Sequence, residues 1–301
     1  MIYQHPLAYL LGLEGVALLR AWAGDFDEDF VAARLAEVRA LLDDPRLNAH
    51  LGEHVWRGDV ATGHRQWASS YDEPRHGLFE IEEPVMHQIL DSLPAGRAFD
   101  AACGTGRYTG YLMEHGHAVV GVDASVEMLE VAHTRFPDGE FRLGSLDCLP
   151  VDDGSADLVV CALALSHVSN LDVAIAEFAR VLRPGGHLVI SDAHHELVVR
   201  GSVVKALTED GGPGLVATYR HATGDFLRAA LPAGFLVRRC EELGRSGADD
   251  GAPTPAQSLA DVPIGSWDDW PWSLHDLIPE AARAAWATPA VVVWHFELGL
   301  Q

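Results

Sequence analysis

From Arg97 onward the chain alternates short apolar runs with helix-length segments. The runs are Ala98-Phe99-Asp100, Ala118 to Asp123, Glu140 to Leu143, Asp157 to Cys161 and His187 to Asp192, with an amphipathic segment over Leu171–Leu182 between the last two. Runs that are apolar at nearly every position predict strands covered on both faces. Strands alternating with helices predict βαβ units in a parallel sheet. Two later strands are predicted over 234–240 and 290–298. Between the amphipathic segment and the His187 run, Arg183-Pro184-Gly185-Gly186 stops the helix, because Pro cannot continue it and the Gly pair permits positive φ. The expected fold class is α/β, a doubly wound, mostly parallel, seven-stranded sheet.

The first 95 residues read as helical. Phe30, Leu35, Val38, Leu41 and Leu42 recur on one helical face, and Asp25, Asp27, Glu28 and Asp29 crowd its start, where the helix dipole favours negative charge. Residues 1–95 are therefore expected to form a helical cap and residues 96–301 the sheet domain, with an insertion near 244–289. The first part of that insertion is rich in Gly, Ala, Asp and Pro and reads as a loop. It leads to Trp267, Trp270 and Trp272, a trio suited to core or interface, or to the wall of an aromatic acceptor's pocket.

Composition narrows the function. In 301 residues, 21 Lys+Arg stand against 44 Asp+Glu, a net charge of −23. A field of that sign repels phosphate, so a nucleic-acid-coating role is excluded and no nucleic-acid partner is expected. The four cysteines lie far apart without a CxxC pair, which points to reduced thiols and to no metal site. The apolar stretch Leu7 to Leu19 is too short to span a bilayer, contains Glu14 and has no Lys or Arg ahead of it. A cytoplasmic monomer or homodimer, away from membranes, is the expectation.

The candidate chemistry begins at Asp100-Ala101-Ala102-Cys103-Gly104-Thr105-Gly106, where a strand end runs into a Gly-rich turn and then a helix. Small residues let backbone approach a ligand, and the following helix N-terminus offers free N–H groups. Asp123 ends the next strand. Its carboxylate suits both hydroxyls of a ribose, or alternatively caps the helix that follows at Ser125-Val126-Glu127. The run Gly104 to Gly110 also has the G-x-G-x-x-x-G form of some dinucleotide binders, but Tyr108 and Thr109 would crowd a pyrophosphate.

Taken together, Asp100 to Gly106, Asp123 to Leu129, Gly144 to Pro150 and Leu182 to Gly186 resemble, in order and spacing, the successive motifs of class I S-adenosylmethionine-dependent methyltransferases. The likeness covers residues 97–195 and extends more faintly from Trp67 to Cys240. It implies that Ala102, Gly104 and Gly106 line the methionine and ribose of S-adenosylmethionine through backbone groups. Asp100 would hold the amino-acid end, Asp123 with Ala124 the ribose side, and Met128 and Leu146 the two faces of adenine. Ala162 would sit beside the cofactor, and Tyr71 looks like the N-terminal aromatic that closes over it. One departure concerns adenine. The family pattern has Asp directly after Gly144, whereas this chain has Ser145, with Asp147 two residues on; Ser145 is therefore carried over as the adenine contact.

Methyl transfer from a sulfonium is an in-line displacement, which needs a base only when the acceptor keeps its proton. The expected acceptor is a small molecule, with O-methylation first and C- or N-methylation close behind. A further alternative is cofactor binding without transfer. Candidate bases follow two strand ends, His167 and, slightly ahead of it, His194. Tyr219, Arg220 and His221 precede a helix over 225–231 and are candidate acceptor contacts, Arg220 as the partner of an acidic acceptor or as part of a solvated helix start.

Overall fold

The computed structural model describes residues 1–58, 63, 77–201, 204–208, 210–244 and 259–300. In chain order the strands are β1 (Ile2–Gln4), β2 (Glu53–Gly58), β3 (Arg97–Ala101), β4 (Ala118–Asp123), β5 (Glu140–Leu143), β6 (Ala156–Ala162), β7 (Leu182–Ala193), β8 (Lys205–Leu207), β9 (Pro213–Val216), β10 (Phe235–Leu243) and β11 (Val291–Leu298). The chain divides into two compact units, one built from residues 1–58, 200–215 and 244–288, the other from 59–199, 216–243 and 289–301.

The larger unit holds a seven-stranded sheet in the order β10-β11-β7-β6-β3-β4-β5. Strands β3 to β7 run parallel; at one edge β11 runs antiparallel to β7, and β10, antiparallel to β11, runs in the direction of the parallel strands. At the centre of the sheet both faces are buried, whereas the edge strands β5 and β10 are largely exposed. Phe99, Val120 and Val159 face a core shared with helices Leu171–Val181 and Thr223–Ala230, while Ala98, Val119, Leu158 and Val160 face helices Phe79–Asp91 and Arg107–Glu114. This double burial is why the strands read as unbroken apolar runs. Chain order reverses between β3 and β6, so a crevice opens beyond their carboxyl ends.

In the smaller unit, helices Pro6–Ala23, Glu28–Asp43 and Pro45–Ala49 accompany a four-stranded sheet, β1-β2-β9-β8. Asp27 caps the second helix, accepting from the Phe30 N–H at 3.0 Å. Leu41 of that helix is fully buried, but Leu35 and Leu42 are exposed. Its buried face instead carries Arg34, 3.7 Å from the buried Glu14 and 3.1 Å from Glu37. The smaller unit is thus mixed rather than all-helical, and it also takes in the 259–288 segment. Helix Phe79–Asp91, expected within the cap, packs with the larger unit through Met86, Ile89 and Leu90. The first helix runs four residues beyond Leu19 and, by length and composition, is long and apolar enough to cross a bilayer; here Leu10, Leu13 and Ala17 are buried in the smaller unit's core. Within the loop expected over 244–263, residues 245–258 lie outside the described residues.

Gly110 shows how tightly the helix after the Gly-rich turn is seated. A Cβ at that position would meet the Phe136 ring at 2.3 Å. Alanine is ordinarily the better helix former, yet Gly110→Ala is expected to destabilise the protein by about 1–3 kcal/mol through overpacking. Urea denaturation measures this, and an increase in stability would contradict the seating.

Candidate functional site

The carboxyl ends of β3, β4, β5 and β6 surround a cavity of about 480 Å³, lined by Ala102, Asp123, Ala124, Ser145, Leu146 and Asp147 on one side and by Ala164, His167 to Asn170, Val173 and Ala174 on the other. Its first wall is the turn after β3. Ala102 has φ 61° and Gly104 φ 55°, the left-handed region in which a Cβ is costly and glycine free. The turn is tied to β4 by two bonds: the Cys103 N–H donates to the Val122 carbonyl at 3.0 Å, and the Gly104 N–H donates to Asp123 Oδ2 at 2.8 Å. Asp123 Oδ1 accepts from the Ser125 N–H at 2.8 Å. The helix cap is Ser125, whose Oγ accepts from the Met128 N–H at 3.2 Å. Asp123 is therefore not that helix's capping residue: its carboxylate is buried at the cavity wall and bridges two turns.

Of the other residues singled out on the cofactor side, Ser145 and Leu146 line the cavity and Met128 does not; its side chain is 2% exposed, beneath the wall. The Ser145 hydroxyl donates to Asp147 Oδ1, so the shifted acid faces the same cavity as the position it left. Gly106, at φ 86°, starts the helix, and a Cβ there would meet Phe136 at 3.0 Å; its smallness serves helix packing. Asp100 is buried and accepts from Thr109 Oγ1 at 2.7 Å, with burial lifting its carboxyl to about 6. Ala162 is half-buried at the end of β6, before Leu163 at φ 53°. Tyr71 lies outside the described residues.

The two candidate histidines part company. His167 lines the cavity, and its Nδ1 lies 3.0 Å from the Ala217 carbonyl, a bond that puts the proton on Nδ1 and the lone pair on Nε2. His194 is buried away from it: its N–H donates to the Ala290 carbonyl at 2.8 Å, its Nδ1 accepts from the Glu196 N–H at 3.3 Å, and its Nε2 is 3.4 Å from Glu242. Burial also pulls the His194 pKa down. The Tyr219 N–H donates to the Ser166 carbonyl at 2.7 Å and His221 Nε2 to the Val168 carbonyl at 2.8 Å, so 217–221 buttresses the His167 wall. Arg220 is exposed.

Sequence reasoning did not single out Asn170 and Val173, which complete the cavity from the start of helix Leu171–Val181, nor the buried Glu82. Arg107, directly after the turn, donates to Glu82 and, at 3.0 Å, to Glu83, and lies 4.0 Å over the Phe79 ring, anchoring helix Phe79–Asp91 to the turn. Among the described residues no cluster of His, Cys, Asp and Glu is arranged to hold a metal.

Residues 99–190, which contain most of this wall, match the family model of a methyltransferase domain. This stretch is similar in sequence to methyltransferase domains. The chain is 32% identical over 135 residues to a malonyl-[acyl-carrier protein] O-methyltransferase of Serratia marcescens, covering 44% of this chain and 51% of that one. It is 38% identical over 148 residues to a demethylmenaquinone methyltransferase of Beutenbergia cavernae, covering 49% and 62%. The chain spans between a third and about three-fifths of the length of the curated relatives it matches. The fold is also that of an S-adenosylmethionine-dependent methyltransferase from Mesorhizobium loti, with a TM-score of 0.51 at 22% identity over 72% of this chain and 97% of that one.

At the end of β7, Asp192 is fully buried, and burial lifts its carboxyl to about 7 against the opposing pull of the Ser166 and Ala193 N–H groups. In the unfolded chain it returns to about 4. An acid raised in this way favours the fold when protonated. Its contribution is complete below about pH 4 and is lost as pH rises through about 7. Asp192→Asn removes that titration and is expected to flatten the decline of unfolding free energy across this window in urea melts; an unchanged slope would show that Asp192 does not titrate there.

Proposed function

We propose that the protein transfers a methyl group from S-adenosylmethionine to a hydroxyl of a small-molecule acceptor, with His167 as the base. The observation that carries the cofactor assignment is Asp123, buried at the cavity wall with its two oxygens bonded to the Gly104 and Ser125 N–H groups. Each carboxylate oxygen accepts more than one hydrogen bond, so the pair that shapes the turn still accepts ribose hydroxyls. The lining suits an adenosyl group: Leu146, Val173 and Ala174 would give apolar cover to a base, and Asp147, on the same wall, would serve as acceptor for the adenine amino group. Ser145 orients that carboxylate by donating to it.

S-adenosylmethionine supplies, when bound, an electrophilic methyl on a sulfonium. The chain's part is alignment, exclusion of water and removal of the acceptor's proton. His167 suits the last role because the Ala217 carbonyl holds its tautomer with the lone pair on Nε2. His194, turned to Glu242, is a positioning residue for the β7 end. Transfer to oxygen agrees with the O-methyltransferase named among the relatives, and the cytoplasm agrees with the charge and composition of the chain.

Calorimetric titration is expected to give one-site binding of S-adenosylmethionine and none of NADH. Asp123→Ala should weaken that binding by about 2 kcal/mol, the loss of hydrogen bonds to a charged group. Binding of NADH alone, or full affinity in the variant, would overturn the cofactor assignment. Against a panel of hydroxyl acceptors, His167→Ala is expected to cut release of S-adenosylhomocysteine about a hundredfold with cofactor affinity intact, whereas His194→Ala spares it. The reverse pattern would move the base to His194.

A further inference from the structure

The seven-stranded sheet ends on one side at β10, whose outer edge pairs with no strand among the described residues. Of the nine residues of this strand, only Phe235, at its start, is buried. An edge of this length presents a row of backbone N–H and C=O groups to any chain that can add to it. Leu236 and Val237 are exposed beside those groups. A bulge between Val237 and Arg239 sets Arg238 outside the pairing with β11, so the regular part of the edge is the run Arg239 to Leu243.

Charge along the strand is divided into halves. Arg238 and Arg239 precede Cys240, and Glu241 and Glu242 follow it. Charges guard an edge strand when the residues that would face each other are alike, because like charges directly opposite destabilise a strand pair. Here the order favours one pairing. When two copies of the strand lie antiparallel about a two-fold axis at Cys240, Arg239 of each stands opposite Glu241 of the other, and Arg238 falls beside Glu242. A parallel pairing in register would instead set arginine on arginine and glutamate on glutamate. Arg239 and Glu241 already share one face of their strand, joined at 2.6 Å. Two such pairs placed head to tail close a ring of four alternating charges. Glu242 is bonded to Thr223 of its own chain and Arg238 sits at the bulge, so the Arg239 and Glu241 ring is what fixes the register. Exposed ion pairs contribute little each. The stabilisation comes from the new backbone hydrogen bonds and from bringing Val237 toward Leu243 of the other copy, and the charges choose the partner.

We propose that β10 is a dimerisation edge whose occupant is β10 of a second copy of this chain, the two strands antiparallel about a two-fold axis at Cys240 and the two sheets joined into one. Such a contact uses the same surface on both copies and closes at two. Sedimentation equilibrium of the full chain at micromolar concentration is expected to give a dimer. Arg239→Glu and Glu241→Arg should each give monomers, since each makes all four charges of the ring alike. An equimolar mixture of the two variants should restore the dimer, because every facing pair is then of opposite charge. Cys240, which is exposed, gives an independent reading. Cα atoms directly opposite in an antiparallel pair lie about 4.5–5.5 Å apart, within the range a disulfide spans. Diamide should therefore oxidise the two Cys240 thiols to one disulfide, being itself reduced to the hydrazine, and yield a covalent dimer that Cys240→Ser prevents and Arg239→Glu suppresses. Circular dichroism checks that each variant is folded; should a charge variant fail to fold, the wild-type mass and the cross-link with and without Cys240→Ser decide the matter. A wild type that is monomeric throughout the micromolar range, dimers in both charge variants, monomers in their mixture, or a dimer that diamide does not link through Cys240 would overturn the proposal.

Discussion

The structure around the candidate site depends on one carboxylate. Asp123 ends β4, and its two oxygens take the N–H groups of Gly104 and Ser125, which joins the turn after β3 to the start of the next helix. The turn needs that restraint. Ala102 is held at φ 61°, an unfavourable conformation for a residue with a Cβ, and only a surrounding hydrogen-bond frame keeps it there. The same carboxylate faces a cavity where a ligand's hydroxyls would find it. The binding role proposed for Asp123 would thus be combined with its structural role in one side chain rather than divided between two.

That arrangement follows from topology. A parallel sheet whose strand order reverses between β3 and β6 leaves a crevice at the carboxyl ends, and the residues just past each strand become its walls. Burial on both faces keeps the strands rigid, and the Arg107 link to Glu82 and Glu83 fixes helix Phe79–Asp91 to the turn. On the opposite wall the 217–221 segment bonds to Ser166, His167 and Val168, so the loop after β6 is held in shape by one backbone and two histidine hydrogen bonds to distant sequence.

The main sheet was legible because double burial writes its central strands as short apolar runs; the exposed edge strands β5 and β10 are mixed in composition, and all seven predicted runs are strands of that sheet. The sheet of the smaller unit was not. β1 and β8 are three residues each, β9 is four, and β2 lies in sheet order beside β9, far along the chain, so no local window carries the signal. Asp123, Ser145 and Leu146 were legible as wall residues from motif spacing. Met128 was not, because its helix position alone does not say which side of the wall it lies on. His194 and His167 follow equivalent strand ends and differ only through long-range contacts: Ala290 and Glu242 draw one inward, and Ala217 holds the other at the cavity. Leu35 and Leu42 kept the helical period yet face water, since the buried Glu14 draws Arg34 to the inner face.

The most direct test of the central claim is a crystal structure with S-adenosylhomocysteine. The account predicts adenosine in the cavity beyond β3 to β6, the ribose hydroxyls on Asp123 and the adenine amino group on Asp147. Adenosine bound elsewhere, or a ribose out of reach of Asp123, would contradict it.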